Sequence, residues 1–256
     1  MNRFALSFLV GVVAAGSVFA DEAADQKAAR EIVERGVKAA KWDKLPTNAN
    51  MTWKETGVMK VMDMKFEYVA DWAFAAPEKL GFSMTATFMG QKIDIKAAVV
   101  KDKAWESGMG MVREVTGEKL EYTLNEVYHL YVISLNPLLK DDQFKLKPIA
   151  DKDVNGNPAA GIEVTRKDKP AIKLYFDKKT GLLSKSEFMA KDEFQNWKLV
   201  LNEVYFLDSK DAGDVKVFGK MKMVRDGGKS SIESEFSEQK WPEKLDEKLF
   251  EKPSGK

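Results

Sequence analysis

Across residues 51–107 the chain alternates apolar and polar positions with a period of two, and the apolar set is rich in aromatic and methionine side chains. Phe66, Tyr68, Ala70, Trp72 and Phe74 share one face. After Pro77-Glu78-Lys79 the pattern resumes in Leu80, Phe82, Met84, Ala86 and Phe88. Successive side chains of a strand point to opposite sides, so each set forms one surface of a half-buried strand. A turn at Gly90-Gln91 leads into Ile93, Ile95, Ala97 and Val99. Connections this short join antiparallel neighbours, because a parallel crossover needs a dozen or more residues. The block is a meander whose aromatic face has to be covered.

Two stretches of helical period can cover it. Residues 21–40 place Ala24, Ala28, Ala29, Ile32, Val33, Gly36, Val37 and Ala40 on one stripe, and residues 116–135 do the same with Leu120, Leu124, Val127, Tyr131 and Leu135. Asn136-Pro137 is expected to stop the second helix. Alternation returns near Phe144 and runs to Phe236, broken by turn signals at Asn155-Gly156, Lys179-Thr180-Gly181 and Gly227-Gly228. The expected fold is α+β and mainly β, with about ten strands. They form one large twisted antiparallel sheet with an amino-terminal helix and an internal helix on its concave side.

Residues 1–20 are expected to be a cleavable secretory leader. Arg3 and the amino terminus supply its positive end, residues 4–16 are apolar, and Val18 and Ala20 occupy the small-residue positions before Asp21. The apolar run is too short to cross a bilayer core of roughly 30 Å, and no second one follows. Residues 21–256 are then expected as a single domain, free in the periplasm or outside the cell. The sequence contains no cysteine, so neither lipid attachment at a cysteine nor disulfide stapling is available, and a chain of this length can bury a core without either. With 41 basic residues against 40 acidic ones, closely interleaved, no nucleic-acid partner is implied.

Motifs that carry chemistry are scarce. Asp151-Lys152-Asp153-Val154-Asn155-Gly156 starts like a calcium loop, but the twelfth position is Ile162 and the sequence beyond it is strand-like. A hairpin turn explains the same residues better, and no metal ligand is assigned. The single histidine, His129, follows Glu126 by three residues and Asn125 by four. It is read as structural or surface-exposed, since one imidazole makes no multi-histidine metal site. Gly108-Met109-Gly110 lacks the third glycine of a dinucleotide fingerprint, and no cofactor is assigned. Met51, Met59, Met62, Met64, Met84, Met89, Met109 and Met111 crowd the first β block. Flexible thioethers suit ordinary core packing or, alternatively, an adaptable cavity wall.

Asn155-Gly156, Ala160-Gly161-Ile162-Glu163-Val164 and Leu174-Tyr175-Phe176-Asp177-Lys178-Lys179-Thr180-Gly181-Leu182-Leu183 resemble the central hairpins of the LolA/LolB-like superfamily of lipoprotein-sorting proteins. Leu245-Asp246-Glu247-Lys248-Leu249-Phe250-Glu251-Lys252-Pro253 is similar to the closing segment of uncharacterised members. The resemblance implies an unclosed β half-barrel with helices as a lid, whose apolar hollow receives acyl chains. It points to a carrier or binding protein for a lipid or lipoprotein acyl chain, with a membrane-bound donor or acceptor protein as a further partner. The lining expected from the aromatic faces is Phe66, Tyr68, Trp72, Phe82, Met84 and Phe88, with Leu124, Val127 and Tyr131 as the lid stripe. Parity says which residues share a face, not which face looks into the hollow. The alternative is a periplasmic sensor or protein-interaction module whose hollow is filled by its own helices. An enzyme is not expected, because no nucleophile, base and orienting group come together in any motif. Amino-terminal sequencing of the exported form is expected to read from Asp21, and an intact Met1 on periplasmic protein would refute the leader.

Overall fold

The computed structural model describes residues 14–46, 50–61 and 64–254, and the side chains of residues 14–20 and Phe88 lie outside what is described. Most of the expected leader therefore lies outside the described residues. Helix α1 (Ala14–Ala40) leads into β1 (Met51–Val61), β2 (Met64–Ala75), β3 (Lys79–Phe88), β4 (Gln91–Val100), β5 (Lys103–Gly108) and β6 (Met111–Val115). After α2 (Gly117–Ile133) and α3 (Asn136–Lys140) come β7 (Lys145–Val154), β8 (Asn157–Thr165), β9 (Ile172–Asp177) and β10 (Leu183–Asp192). The last three strands are β11 (Lys198–Ala212), β12 (Val215–Arg225) and β13 (Ser230–Lys240).

These thirteen strands form one sheet in the order β6-β5-β4-β3-β2-β1-β13-β12-β11-β10-β9-β8-β7. Every pairing is antiparallel, and β6 and β7 remain as free edges, so the sheet curls without closing. The chain starts at the centre with β1 and winds out to the β6 edge. It then crosses to the β7 edge and winds back until β13 pairs with β1. The crossing segment is α2 and α3, which is why α2 touches strands from both halves, β5 as well as β9 and β10.

Three readings of the sequence are corrected. Thirteen strands replace about ten, since β5 and β6 span only six and five residues and are too short for periodicity to show. The turn after β3 is Met89-Gly90, not Gly90-Gln91, because Phe88 pairs with Gln91 and both turn residues have positive φ. Asn136-Pro137 does not end the helical segment but opens α3. The break falls at Leu135 with φ 60°, and proline in a first helical turn lacks only an N–H that would be unpaired anyway.

The hairpin reading at Asn155-Gly156 holds. Val154 pairs with Asn157, both turn residues have positive φ, and Asp153 Oδ1 accepts the Gly156 N–H at 2.7 Å. Asp151 instead pairs with Lys178. On α1, Ala29, Val33, Val37 and Ala40 are buried, whereas Ala24 and Ala28 are exposed. The methionines of the first block divide in an unforeseen way. Met89, Met109 and Met111, 87%, 80% and 70% exposed, stand at the tips of the β3–β4 and β5–β6 hairpins and serve neither core nor cavity.

On the convex face, the carboxy-terminal turn Glu247–Phe250 lies across β3 and β4. Small residues, Ala73, Gly81 and Ala98, admit it. A Cβ at Gly81 would sit 2.0 Å from the Leu249 carbonyl oxygen, and Phe250 is buried. Gly81→Ala should therefore lift this strap and cost about 1–3 kcal/mol. Urea unfolding with limited proteolysis of the carboxy terminus checks it, and unchanged stability with a protected terminus would refute it.

Candidate functional site

The cross-strand register settles which face looks into the hollow. Trp53 opposes Trp72, Trp72 opposes Phe82, and Phe82 opposes Ala97, a row running across β1 to β4. The Trp53 and Trp72 rings are parallel within 2° at 5.6 Å, and Phe82 tilts against Trp72 at 4.5 Å. Facing this row across the concave side is α2, and between them lies a cavity of about 480 Å³. That volume falls within the range of roughly 300–1,000 Å³ typical of small-molecule sites.

Of the residues singled out from the sequence, Tyr68, Trp72, Phe82 and Met84 line this cavity. Phe66, opposite Met59, is half-buried and stands outside the lining, and the side chain of Phe88 lies outside the described residues. Leu124 and Val127 press onto the core of Trp53, Phe74, Leu80 and Val99, while Tyr131 packs against that core and also against the one under α1. The side of α2 that borders the cavity carries Tyr122, Thr123, Glu126, His129, Leu130 and Ile133 instead. An apolar stripe at helical spacing is thus used for contact with the sheet, and the mixed flank beside it faces the empty space.

Polar residues that periodicity did not bring forward also sit in the hollow. Glu55 is only 6% exposed, at a position whose neighbours on the same face are Trp53 and Gly57. Tyr68 Oη donates to Glu55 Oε1 at 2.5 Å and lies 2.8 Å from Ser234 Oγ, and Trp53 Nε1 donates to Glu55 Oε2 at 3.5 Å. Burial, with the Glu55 charge second, pushes the Tyr68 phenol well above its ordinary value, so it stays a donor. Gly57 opposes Tyr68, and a Cβ there would come within 2.6 Å of the phenol oxygen. The glycine makes the Tyr68–Glu55 contact possible.

At the amino end of α2, Lys119 pairs with Glu106 on β5 at 3.0 Å and with Glu193 after β10 at 3.6 Å, tying the two halves of the sheet across the helix. Burial would raise the Glu106 carboxyl, but the bonds from Lys119 and Arg113 outweigh it and hold it low. Deeper in, Arg225 Nη2 donates to Tyr122 Oη at 2.5 Å. A parity reading could have found both Glu55 and Arg225, because each is a charge with an aromatic or methionine neighbour two residues away on the same face.

No protein-family model and no curated protein matches the sequence. Among solved structures, the chain is similar to a DUF1329 family protein from Desulfovibrio piger at 12% identity and TM-score 0.58, covering 89% of this chain and 97% of that one. It is similar to a LolA superfamily protein from Nitrosomonas europaea at 12% identity and TM-score 0.56, covering 88% and 97%. A domain from Vibrio parahaemolyticus assigned to outer membrane lipoprotein sorting gives 14% identity and TM-score 0.50, covering 85% and 97%. The chain therefore shares its fold with these three proteins, an open antiparallel sheet carrying helices on its concave side. Among the described residues no helix is long and apolar enough to cross a membrane.

His129 gives the site a pH signature. It is 4% exposed, stacks on Phe188 at 4.3 Å and shares a 2.8 Å hydrogen bond with Ser186 Oγ. Burial lowers its pKa to about 3, against about 6.5 in the unfolded chain. Between these values the unfolded state holds one more proton, so stability is full above pH 6.5 and falls as pH drops, by about 1.4 kcal/mol per pH unit from this residue. Urea unfolding at pH 7.5 and pH 5.0 should show that slope in the wild type and lose this share of it in His129→Gln. An identical slope in both would refute a neutral buried imidazole.

Proposed function

We propose that the protein is an exported carrier or binding protein for the acyl chain of a lipid or lipoprotein, working without covalent chemistry. The observation that carries this reading is the apolar cavity left open between the Trp53–Trp72–Phe82 row and α2. A protein using this fold only as an interaction surface has no need to keep such a space. Each methylene moved from water into the hollow contributes about 0.8 kcal/mol, set against association costs of roughly 4–15 kcal/mol. Long chains are therefore held and short ones are not. Such binding is reversible, which suits a carrier that receives its load from one membrane-bound partner and yields it to another. The fold shared with the LolA superfamily protein and with the Vibrio lipoprotein-sorting domain supports the same reading.

The test separates lining from packing. Trp72→Ala and Phe82→Ala should weaken binding of a fluorescent long-chain fatty acid about tenfold or more, with a stability loss below the roughly 3–5 kcal/mol of a close-packed aromatic truncation. Tyr131→Ala, which removes a ring wedged between the two cores, should cost about 2 kcal/mol or more and change affinity less. If no acyl probe binds the wild type, the carrier reading fails and the protein-interaction module takes its place.

A further inference from the structure

Six buried side-chain polar atoms have no hydrogen-bond partner among the described residues, and four of them gather at one place: Arg225 Nε, Asn202 Oδ1, Ser230 Oγ and Glu126 Oε1. Asn202, Arg225 and Ser230 are direct cross-strand neighbours on β11, β12 and β13, and therefore share the concave face. Glu126 comes down from α2, and both it and Arg225 border the cavity. Unpaired buried polar atoms are costly, and natural proteins leave few of them. Three around one guanidinium, itself unpaired at Nε, leave this place with unused hydrogen-bonding capacity.

The charge says what kind of group completes it. Among the described residues no carboxylate forms an ion pair with the Arg225 guanidinium, and its one hydrogen bond is to Tyr122. Burial, opposed by Arg225 itself, raises the Glu126 carboxyl toward its neutral, donating form. Burial opposes the Arg225 charge and is outweighed by Tyr122 and by the acids Glu126 and Asp192, none of which pairs with its full donor fork, and such a planar fork suits a carboxylate or phosphate.

We propose that Arg225, with Tyr122, Ser230 and Glu126 around it, is a head-group site for the carboxylate or phosphate of an anionic amphiphile whose tail runs toward Trp53 and Trp72. This rests on the reading of the cavity as an acyl-chain site. The two poles lie at opposite ends of β1: Val61, in register with Ser230, lies eight residues from Trp53, roughly 26 Å along the strand. The site makes the cavity directional, with one polar pole and one aromatic pole.

The experiment uses the full-length mature protein loaded with diphenylhexatriene, a neutral probe that needs only the apolar hollow, and displaces it with four competitors. Palmitate and hexadecyl phosphate carry the anion on a tail, hexadecanol carries the tail alone, and inorganic phosphate carries the anion alone. At least one anionic amphiphile should compete tenfold or more better than hexadecanol, and inorganic phosphate should not displace the probe. Arg225→Met should erase the preference while keeping probe and hexadecanol binding, and Arg225→Lys should restore part of it. Equal competition by all three amphiphiles in the wild type, or a preference that persists in folded Arg225→Met, overturns the head-group site alone. Failure of the probe to bind overturns the cavity reading itself. Should Arg225→Met not fold, the wild-type comparison of palmitate and hexadecyl phosphate with hexadecanol still decides.

Discussion

The pairing of β1 with β13 is the constraint on which the remaining architecture depends. It puts the first and last strands side by side at the centre of the sheet, with Thr52 against Lys240 and Val61 against Ser230. Both free edges then belong to the middle of the chain, at β6 and β7, and the segment joining them has to traverse the whole concavity. A loop on that route would leave its peptide groups unpaired in an apolar interior. A helix satisfies them internally, and α2 lies where it does for that reason. The hollow is the space left where α2 does not fill the trough between itself and the strands around Trp53, Trp72 and Phe82.

Polarity within that space is rationed by geometry. Glu55 is tolerated because Tyr68, Trp53 and Ser234 surround it and because glycine at 57 lets the phenol lie across the sheet. Lys119 fastens α2 to both halves from the mouth. Arg225, deeper in, has one hydrogen-bond partner among the described residues where it could use several. The contrast between a satisfied carboxylate and an under-satisfied guanidinium on one concave surface gives the cavity its two unlike ends.

Much of this was legible in the sequence. Period-two runs such as Phe66 to Phe74 identified the meander, short polar turns fixed its antiparallel sense, and two helical stretches were found close to their true positions. The signals that failed were local ones. Five- and six-residue strands are too short for alternation to register, and a proline that ends one helix reads the same as a proline that begins the next. For the site, parity grouped Tyr68, Trp72, Phe82 and Met84 correctly on one face, yet the apolar stripe of α2 revealed packing rather than cavity wall. Burial is an average over surroundings, and a one-dimensional pattern cannot separate a side chain touching the sheet from one bordering a void. Glu55 and Arg225 were visible only as interruptions of an apolar face.

The two hairpins that end in methionine have a chemical consequence of their own. In a chain without cysteine, thioethers are the only sulfur an oxidant can meet. Met89, Met109 and Met111 stand in solvent, whereas Met84 and Met223 line the cavity. Accessibility sets the order of attack, so the tips are converted to sulfoxide first. There the change adds a polar oxygen to an already hydrated turn and disturbs no packing. The same conversion inside the hollow would put a strong acceptor among the aromatic rings. The exposed methionines are thus the first thioethers an oxidant converts, ahead of those whose modification would alter the cavity.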